Sequence, residues 1–198
     1  MEKNHKYEKE YKIAVSGSAE TEPCNKSAKE MAEGFGEQVA KAGHVLITGA
    51  TSGIPFWSAI GAKRENGTVI GISPASSLSS HVKTYKLPTD YHDILIFTGF
   101  GYAGRNLIMT RSADAVVICC GRMGTLNEFT IAFEDQKPIG VLLGTGGTAD
   151  QIKYIIEMAK RGPGKIVYDT DPKELLKKLI ELIEKERRYP KLKSPDGE

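Results

Sequence analysis

Cysteine is scarce in this sequence: its 198 residues include only Cys24, Cys119 and Cys120. Because the number is odd and the spacing irregular, the cysteines argue against a framework of disulfide bonds and suggest a reducing compartment. Neighbouring side chains on a strand point to opposite faces, so Cys119 and Cys120 cannot easily share a metal ion. We therefore expect these two to be small core residues. We expect no metal site and no cofactor.

Excess charge of one sign is also absent. Lysine and arginine number 27 against 25 aspartates and glutamates, which leaves a formal net charge of +2. That charge is too small to suggest a nucleic-acid-binding surface. The sequence also lacks an apolar run near the ~20 residues of a membrane-spanning helix, and its N-terminus is too charged for a signal peptide. We expect a cytoplasmic protein whose partners include neither nucleic acid nor a membrane.

What the sequence does contain is an alternation of strand-like apolar runs and helical segments, which recurs about seven times. The runs are continuous in their apolar character, as expected of strands that are covered on both faces. The pattern predicts a doubly wound, Rossmann-like α/β fold, with a mostly parallel sheet of about seven strands and helices on both faces. The predicted strands are residues 11–18, 44–49, 67–74, 93–99, 114–120, 138–144 and 165–169.

The length of the chain suits one globular domain, because domains usually contain roughly 100–200 residues. We predict a single domain over residues 1–187 and a C-terminal tail over residues 188–198. A chain of this length buries about 70% of its unfolded surface, so it needs neither disulfides nor a metal to fold. Residues 75–92 break the pattern, since they are serine-rich and aperiodic. A loop of that length is often functional or mobile.

Four of the turns that follow predicted strands are rich in glycine, serine and threonine. Their sequences are SGSAE (16–20), TGATSG (48–53), TGFGYAG (98–104) and CGRMGT (120–125). Ligands of such sheets bind at the carboxyl ends of the strands. Small residues there let backbone amides face an anion, and each following helix adds its positive end. Glycine-containing turns occur in any α/β fold, but four on one edge favour a phosphorylated ligand.

One of these turns, GFGYAG (99–104), satisfies the G-x-G-x-x-G pattern of dinucleotide-binding proteins. That pattern normally occupies the turn between the first strand and the first helix of the fold, with an acidic residue about 20 residues later that holds the ribose. Here the next strand ends in Ile118, Cys119 and Cys120, without an acid. We therefore do not expect a nicotinamide cofactor.

The stretch TLNE (125–128) is either a capping box at the start of a helix or part of a ligand-binding site. Thr125 followed three residues later by Glu128 is the pattern of a capping box, which stabilises a helix start and catalyses nothing. In either interpretation the Glu128 carboxylate lies near the loop where a ligand would bind. Arg105 is predicted at the start of the preceding helix, where a cation is mildly unfavourable. A bound anion or Glu128 would compensate for that, and a solvated arginine is the alternative.

The segment GRNLIMTRSADAVVICCGRMGTLNEF (104–129) resembles the signature of the Lonely-guy phosphoribohydrolases and of the related molybdenum-cofactor carrier proteins. The family pattern is an arginine, a Ser/Ala-Asp-Ala about nine residues later, a strand, and Pro-Gly-Gly-x-Gly-Thr-x-x-Glu. The resemblance extends to 12–18 and 46–63, and the Arg-Asn pair at 105–106 is closer to the carriers. The residues that fall on the family's positions are Arg105, Asp114, Gly121, Gly124, Thr125 and Glu128.

The resemblance implies cleavage of the N-glycosidic bond of a nucleoside 5′-monophosphate, to a free base and ribose 5-phosphate. Glu128 and Arg105 are the implied catalytic residues. The alternative is a carrier or sensor of a nucleotide or pterin-type ligand without turnover. In both cases the expected partner is a nucleoside monophosphate or a related phosphorylated small molecule, and the resemblance also implies a homodimer or a higher homo-oligomer. The expected phosphate or nucleotide contacts are Gly17, Ser18, Thr51, Ser52, Gly53, Gly121, Arg122, Met123, Gly124 and Thr125.

Two residues depart from the family pattern. Cys120 replaces its proline, and Arg122 replaces its second glycine. An arginine at that position narrows the loop, or adds a charge-assisted contact to a phosphate. The departure bears on the identity of the ligand more than on the fold.

Overall fold

Seven parallel strands form one sheet in a computed structural model of the protein, which describes residues 10–186. The strands are β1 (Lys12–Gly17), β2 (Val45–Thr48), β3 (Val69–Ser73), β4 (Ile94–Phe97), β5 (Ala115–Cys119), β6 (Ile139–Leu142) and β7 (Ile166–Asp169). The helices are α1 (Ala28–Lys41), α2 (Ile54–Arg64), α3 (Gly101–Ser112), α4 (Met123–Glu134), α5 (Gly147–Ala159) and α6 (Pro172–Glu186), and a short π-helix spans Ser80–Thr84. The predicted doubly wound α/β fold is confirmed.

The strand order is β4-β3-β2-β1-β5-β6-β7. From β1 the chain builds the sheet towards one edge, through β2 and β3 to β4. It then crosses back through α3 and continues from β5 towards the other edge. β1 and β5 are therefore neighbours, paired from Ile13 with Ala115 to Gly17 with Cys119. In open α/β sheets the point where the strand order reverses leaves a crevice at the carboxyl ends.

Two hydrophobic cores cover the two faces of the sheet. Ile13, Val15 and Val117 lie on the face that packs against α1, α2 and α6. Ala14 and Ile118 lie on the opposite face, which packs against α3, α4 and α5. Side chains alternate between the faces along each strand, and both faces are apolar, so the strand sequences are continuous apolar runs.

The aperiodic segment 75–92 is tied to the ends of two strands by histidines. The buried ring of His81 lies 2.8 Å from the Ser73 hydroxyl, and its other nitrogen donates to the Pro88 carbonyl. His92 lies 2.8 Å from the Thr48 hydroxyl, and its other nitrogen donates to the Asp90 carbonyl. Burial lowers the pKa of His92. The two rings fix the segment against the sheet.

The cysteine expectation was wrong in one respect. Cys24 and Cys120 form a disulfide bond with their Cα atoms 5.5 Å apart, although 96 positions separate them in sequence. The pairing of β1 with β5 explains it, because Cys24 lies in the connection after β1 and Cys120 directly follows β5. Cys119 is free and buried, as predicted for a core residue.

The predicted boundary between domain and tail stays a prediction. The tail over 188–198 and the charged N-terminal residues 1–9 lie outside the described residues. Over residues 10–186, no helix is long and apolar enough to cross a membrane.

Candidate functional site

A cavity of about 460 Å³ opens where β1 and β5 end, at the reversal of the strand order. Its walls come from the connections after β1, β2 and β5 and from the first turns of α3 and α4. Ligand pockets of proteins commonly enclose about 300–1,000 Å³. The cavity is lined by Val15, Gly17, Ser18, Ala19, Glu20, Gly49, Thr51, Pro55, Tyr102, Arg105, Asn106, Arg122, Gly124, Thr125 and Glu128.

Most of the residues expected to form the site line this cavity. They are Gly17, Ser18, Thr51, Arg105, Arg122, Gly124, Thr125 and Glu128. The remaining four, Ser52, Gly53, Gly121 and Met123, are not among the lining residues.

The four that do not line it lie behind or beside its walls. The Ser52 hydroxyl donates to the Ala19 carbonyl, and a Cβ on Gly53 would lie 2.3 Å from the Ser18 carbonyl oxygen. Gly121 has φ of +109°, which favours glycine, and a Cβ there would collide with Thr125. Met123 is 77% exposed. The two glycines let the loops approach each other, so their part in the site is to shape it.

The start of α4 supplies free backbone amides to the cavity. The helix begins at Met123 with Arg122 as its N-cap, so Thr125 lies inside the first turn and the capping-box interpretation of TLNE is wrong. Amides of the first turn have no partner within a helix, and they carry the positive end of its dipole. Apart from its chain neighbours and the adjacent backbone of α4, no atom lies within 4 Å of the place that a Cβ on Gly124 would occupy. The arrangement suits an anion.

The start of α2 is less suited to an anion. The Ile54 amide donates to the Ser18 carbonyl at 2.9 Å. Pro55, the next residue, has no amide hydrogen. The TGATSG turn therefore forms a wall, to which it contributes the Thr51 side chain, and it does not form a second amide cradle.

A buried ion pair lies on the inner side of the cavity. Arg105 of α3 donates from an Nη atom to Glu128 Oε1 of α4 at 2.9 Å, and their side chains are only 8% and 6% exposed. Ser16, near the end of β1, donates its hydroxyl to the other carboxylate oxygen. The Arg105 Nε is buried and makes no hydrogen bond to a described residue.

Opposing effects set the charge of Glu128. Burial raises the pKa of the Glu128 carboxyl, whereas the Arg105 guanidinium and the Ser16 hydroxyl lower it, and the net shift is upward. Both donors stabilise the ionised form. The result is a carboxylate held rigidly at the cavity wall with positive charge beside it.

Three residues that sequence reasoning missed complete this pair. Ser16 and Gly49 belong to turns already recognised as glycine- and serine-rich, but their contacts with Glu128 and Arg105 depend on the tertiary structure. A Cβ on Gly49 would lie 2.1 Å from an Arg105 Nη atom, so only glycine lets the guanidinium lie over this turn. Asn106 Nδ2 donates to Asn127 Oδ1 at 2.9 Å, and a rotation of this amide by 180° would instead bring its nitrogen within 2.8 Å of Glu128 Oε1.

At the mouth of the cavity, Arg122 pairs with Glu20 of the connection after β1. Both side chains are largely exposed, so the interaction contributes little to stability. The departure from the family glycine therefore places a guanidinium at the rim. There it can bind an anionic ligand if Glu20 moves away.

In the glycine-rich turn GTGGT (144–148), backbone amides already bind a carboxylate of the chain itself. The Asp150 carboxylate accepts hydrogen bonds from the amides of Gly144 and Gly146 at 2.8 and 3.0 Å. These amides are satisfied by the chain itself. The segment is a turn and not a further phosphate loop.

The chain belongs to the SLOG cluster4 family, whose sequence model matches residues 10–176. An uncharacterized protein of Archaeoglobus fulgidus is 36% identical over 130 residues, which cover 66% of this chain and 78% of that protein.

Two solved structures are similar throughout. The molybdenum cofactor carrier protein of Chlamydomonas reinhardtii has a TM-score of 0.72 and 27% identity, and the match covers 89% of this chain and 99% of that one. The molybdenum cofactor binding protein of Rippkaea orientalis has a TM-score of 0.68 and 28% identity, over 90% of this chain and 98% of that one. The expected likeness to molybdenum-cofactor carriers is confirmed.

DNA-processing proteins share the fold at lower identity. The DNA processing protein A of Helicobacter pylori, a single-stranded DNA-binding protein, has a TM-score of 0.62 and 17% identity, over 86% of this chain and 80% of that one. This likeness shows a common fold and leaves the expectation about nucleic acid a prediction. Among residues 10–186, no group of three or more His, Cys, Asp or Glu side chains is placed to hold a metal ion.

Proposed function

We propose that the protein binds a nucleoside 5′-monophosphate in the cavity between β1 and β5 and hydrolyses its N-glycosidic bond. The observation that carries this proposal is the Glu128 carboxylate, fixed by Arg105 and Ser16 in the wall of a cavity that also contains the free amides of α4. The first-turn amides, Ser18 and Thr51 would bind the phosphate. The resemblance to Lonely-guy phosphoribohydrolases points to the same reaction.

Glu128 and Arg105 divide the chemistry between them. Cleavage of an N-glycosidic bond passes through an oxocarbenium-like state, which a nearby carboxylate stabilises. Glu128 provides that charge, or orients the attacking water. Arg105 holds the carboxylate in place and opposes the rise in its pKa that burial causes.

A second candidate is carriage of a phosphorylated ligand, such as a molybdenum cofactor of the pterin type, without turnover. The carboxylate of Glu128 favours it, because both of its oxygens already accept hydrogen bonds from the chain. The two similar structures of molybdenum cofactor proteins favour it as well. In this function Arg105 and Glu128 would be a rigid part of the binding wall.

We expect Glu128→Gln to lower the release of free base from AMP by about 10²–10³-fold, with AMP binding retained. Glutamine keeps the volume of the side chain and an oxygen for Arg105, but it lacks the charge. Base release is measured by chromatography after incubation of the pure protein with AMP and modified adenosine monophosphates. Glu134→Gln on the same helix is the matched control, since that side chain is exposed and pairs with Arg161.

Each result of this experiment decides between the proposals. Wild-type protein that binds AMP without releasing base is a carrier and not a hydrolase. Equal rates in wild type and Glu128→Gln would remove Glu128 from the mechanism. No binding of any nucleotide would end both proposals. If the reaction needs ionised Glu128, its rate rises with pH through the raised pKa of that carboxyl, so the acid limb lies above the ordinary value of 4.5.

A homodimer is the assembly that we propose, through an apolar surface at the β4 edge of the sheet. Exposed apolar patches of this kind mark interaction sites. Ile94 and Ile96 of β4 are exposed, and the segments that precede and follow β4 add the exposed side chains of Leu78, Val82, Phe100, Tyr102 and Leu107. We expect Ile96→Lys, on the edge strand, to shift a dimer to monomer in light scattering coupled to gel filtration. The control is Tyr154→Lys, an exposed residue of α5. A wild-type monomer at all concentrations would contradict this assembly.

A further inference from the structure

The Cys24–Cys120 disulfide joins two walls of the candidate site. Cys24 lies in the connection 18–27, of which Ser18, Ala19 and Glu20 line the cavity. Cys120 directly precedes Gly121 and Arg122, which lead into α4. The bond therefore links the connection after β1 to the turn that presents the α4 amides.

The turn that begins at Cys120 has an unusual backbone. Cys120 has φ of +53° and Gly121 has φ of +109°, both in the left-handed region. A non-glycine residue there costs free energy and persists only where its surroundings fix it. The Cys120 amide donates to the Thr145 hydroxyl at 2.7 Å, and the disulfide fixes its side chain. Without the bond, one of the constraints on the anion-binding turn is lost.

In the connection after β1, the residues closer to Cys24 depend more strongly on the disulfide for their position. Ser18 is fixed close to β1, where its carbonyl accepts from the Ile54 amide. Glu20 is further along and only four residues before Cys24. Cys24 is also held by its neighbour Asn25, which bonds to Thr145 and Gly144. Reduction therefore leaves the fold in place but gives the rim of the cavity more freedom.

The three cysteines differ in what they can react with. Cys24 is half-buried, whereas Cys120 and Cys119 are fully buried. Burial raises the pKa of the Cys119 thiol to about 12, so it stays protonated and is a poor nucleophile. Cys24 is the less buried of the two bonded cysteines, so we place the attack of an external thiolate at its sulfur, and we expect no exchange with Cys119.

We propose that Cys24 and Cys120 are a reversible thiol–disulfide site that regulates ligand binding in the adjacent cavity, with the oxidised form binding more tightly. The inference rests on the proposed binding of a phosphorylated ligand. Rigid walls reduce the ordering that a ligand must impose, which favours the oxidised form. The partner in the exchange is a dithiol reductant or, in the reverse direction, an organic disulfide.

The exchange balances with a dithiol alone. One thiolate of the reductant attacks Cys24 Sγ, which breaks the Cys24–Cys120 bond, forms a mixed disulfide and releases the Cys120 thiolate to take up a proton. The second thiol of the reductant, as its thiolate, then attacks the first sulfur of the reductant, which is bonded to Cys24 Sγ in the mixed disulfide. That step releases Cys24 as a thiol and closes the reductant's disulfide.

The test is calorimetric titration of AMP and of inorganic phosphate into the full chain in both states. One sample is oxidised with glutathione disulfide and the other reduced with dithiothreitol, and thiols are counted after denaturation. We expect one thiol in the oxidised protein and three in the reduced protein. We expect reduction to weaken AMP binding at least about fivefold. Cys24→Ser should bind as the reduced protein does under both conditions.

Other results overturn the inference. Equal affinity in the two states, tighter binding after reduction, or three thiols after glutathione disulfide would each do so while AMP binding itself persists. A redox response that survives in Cys24→Ser would also contradict it. If neither state binds AMP or phosphate, the proposed function falls, and this inference falls with it.

Discussion

Arg105→Met should lower the free energy of unfolding by about 3–5 kcal/mol at neutral pH, because it leaves Glu128 buried without its partner charge. The Arg105 and Glu128 side chains are almost completely enclosed, and the ion pair is 2.9 Å long. Ser16 would remain as a donor, but a hydroxyl cannot balance a buried charge. Urea unfolding followed by circular dichroism measures the change.

The matched control is Arg111→Met on the same helix. Arg111 pairs with Asp135 at 2.9 Å, but its side chain is exposed, so we expect a much smaller change. A similar loss in both variants would show that the burial of the Arg105 pair does not matter. It would also weaken the assignment of Arg105 as the residue that positions Glu128.

The pH dependence of the Arg105 variant follows from the same charge. Burial raises the pKa of Glu128, and without Arg105 the pKa rises further, because the guanidinium opposes that shift. The folded state then binds a proton more readily than the unfolded state, so stability falls as pH rises through that range. The loss in Arg105→Met should be larger at pH 8 than at pH 5. Arg105→Met combined with Glu128→Gln should recover part of it.

The fold could be predicted because its evidence is local. Continuous apolar runs such as 114–120 belong to strands covered on both faces, and the helical segments between them require parallel pairing. The strand order and the position of the crevice follow from the tertiary structure, in which the chain crosses back through α3 to place β5 beside β1.

The candidate site was predicted in part. Arg105 and Glu128 belong to a recognisable motif, and the structure brings them together from two helices. Ser16 and Gly49 escaped prediction, because their relevance depends on what the fold places against them. Thr125 shows the opposite case: a local capping rule placed the helix start there, but α4 begins at Met123.

The disulfide was missed for a physical reason as well. Cysteine counting recognises regular frameworks, whereas Cys24 and Cys120 lie 96 positions apart and meet only because β1 and β5 pair. Cys120 occupies the position of the proline in the Lonely-guy pattern that this segment resembles, and the cysteine at this position allows the disulfide with Cys24 to form. The departure thus has a structural consequence that the motif alone does not contain.

Cys24→Ser should lower the free energy of unfolding of the oxidised protein by about 2–4 kcal/mol. A bond across 96 positions removes much of the freedom of the unfolded chain, and the chain-entropy relation gives about 4–5 kcal/mol for a loop near that length. Measured losses of stability are usually smaller than the value that this relation gives. The contacts of Asn25 keep the connection folded without the bond, so the loss of stability comes mainly through the unfolded state, and the native state changes only in the freedom of the cavity rim.

Guanidinium chloride unfolding of four samples separates this effect from any other consequence of the serine: wild type and Cys24→Ser, each with and without dithiothreitol. Reduction should destabilise wild type by the same amount as the substitution and should leave Cys24→Ser unchanged. If wild type keeps its unfolding midpoint after reduction, the bond does not contribute to stability. A further loss in the reduced Cys24→Ser sample would point to a different oxidised pair. A loss of stability without a change in AMP affinity would place the effect of the bond in the unfolded state alone and would contradict its proposed effect on ligand binding.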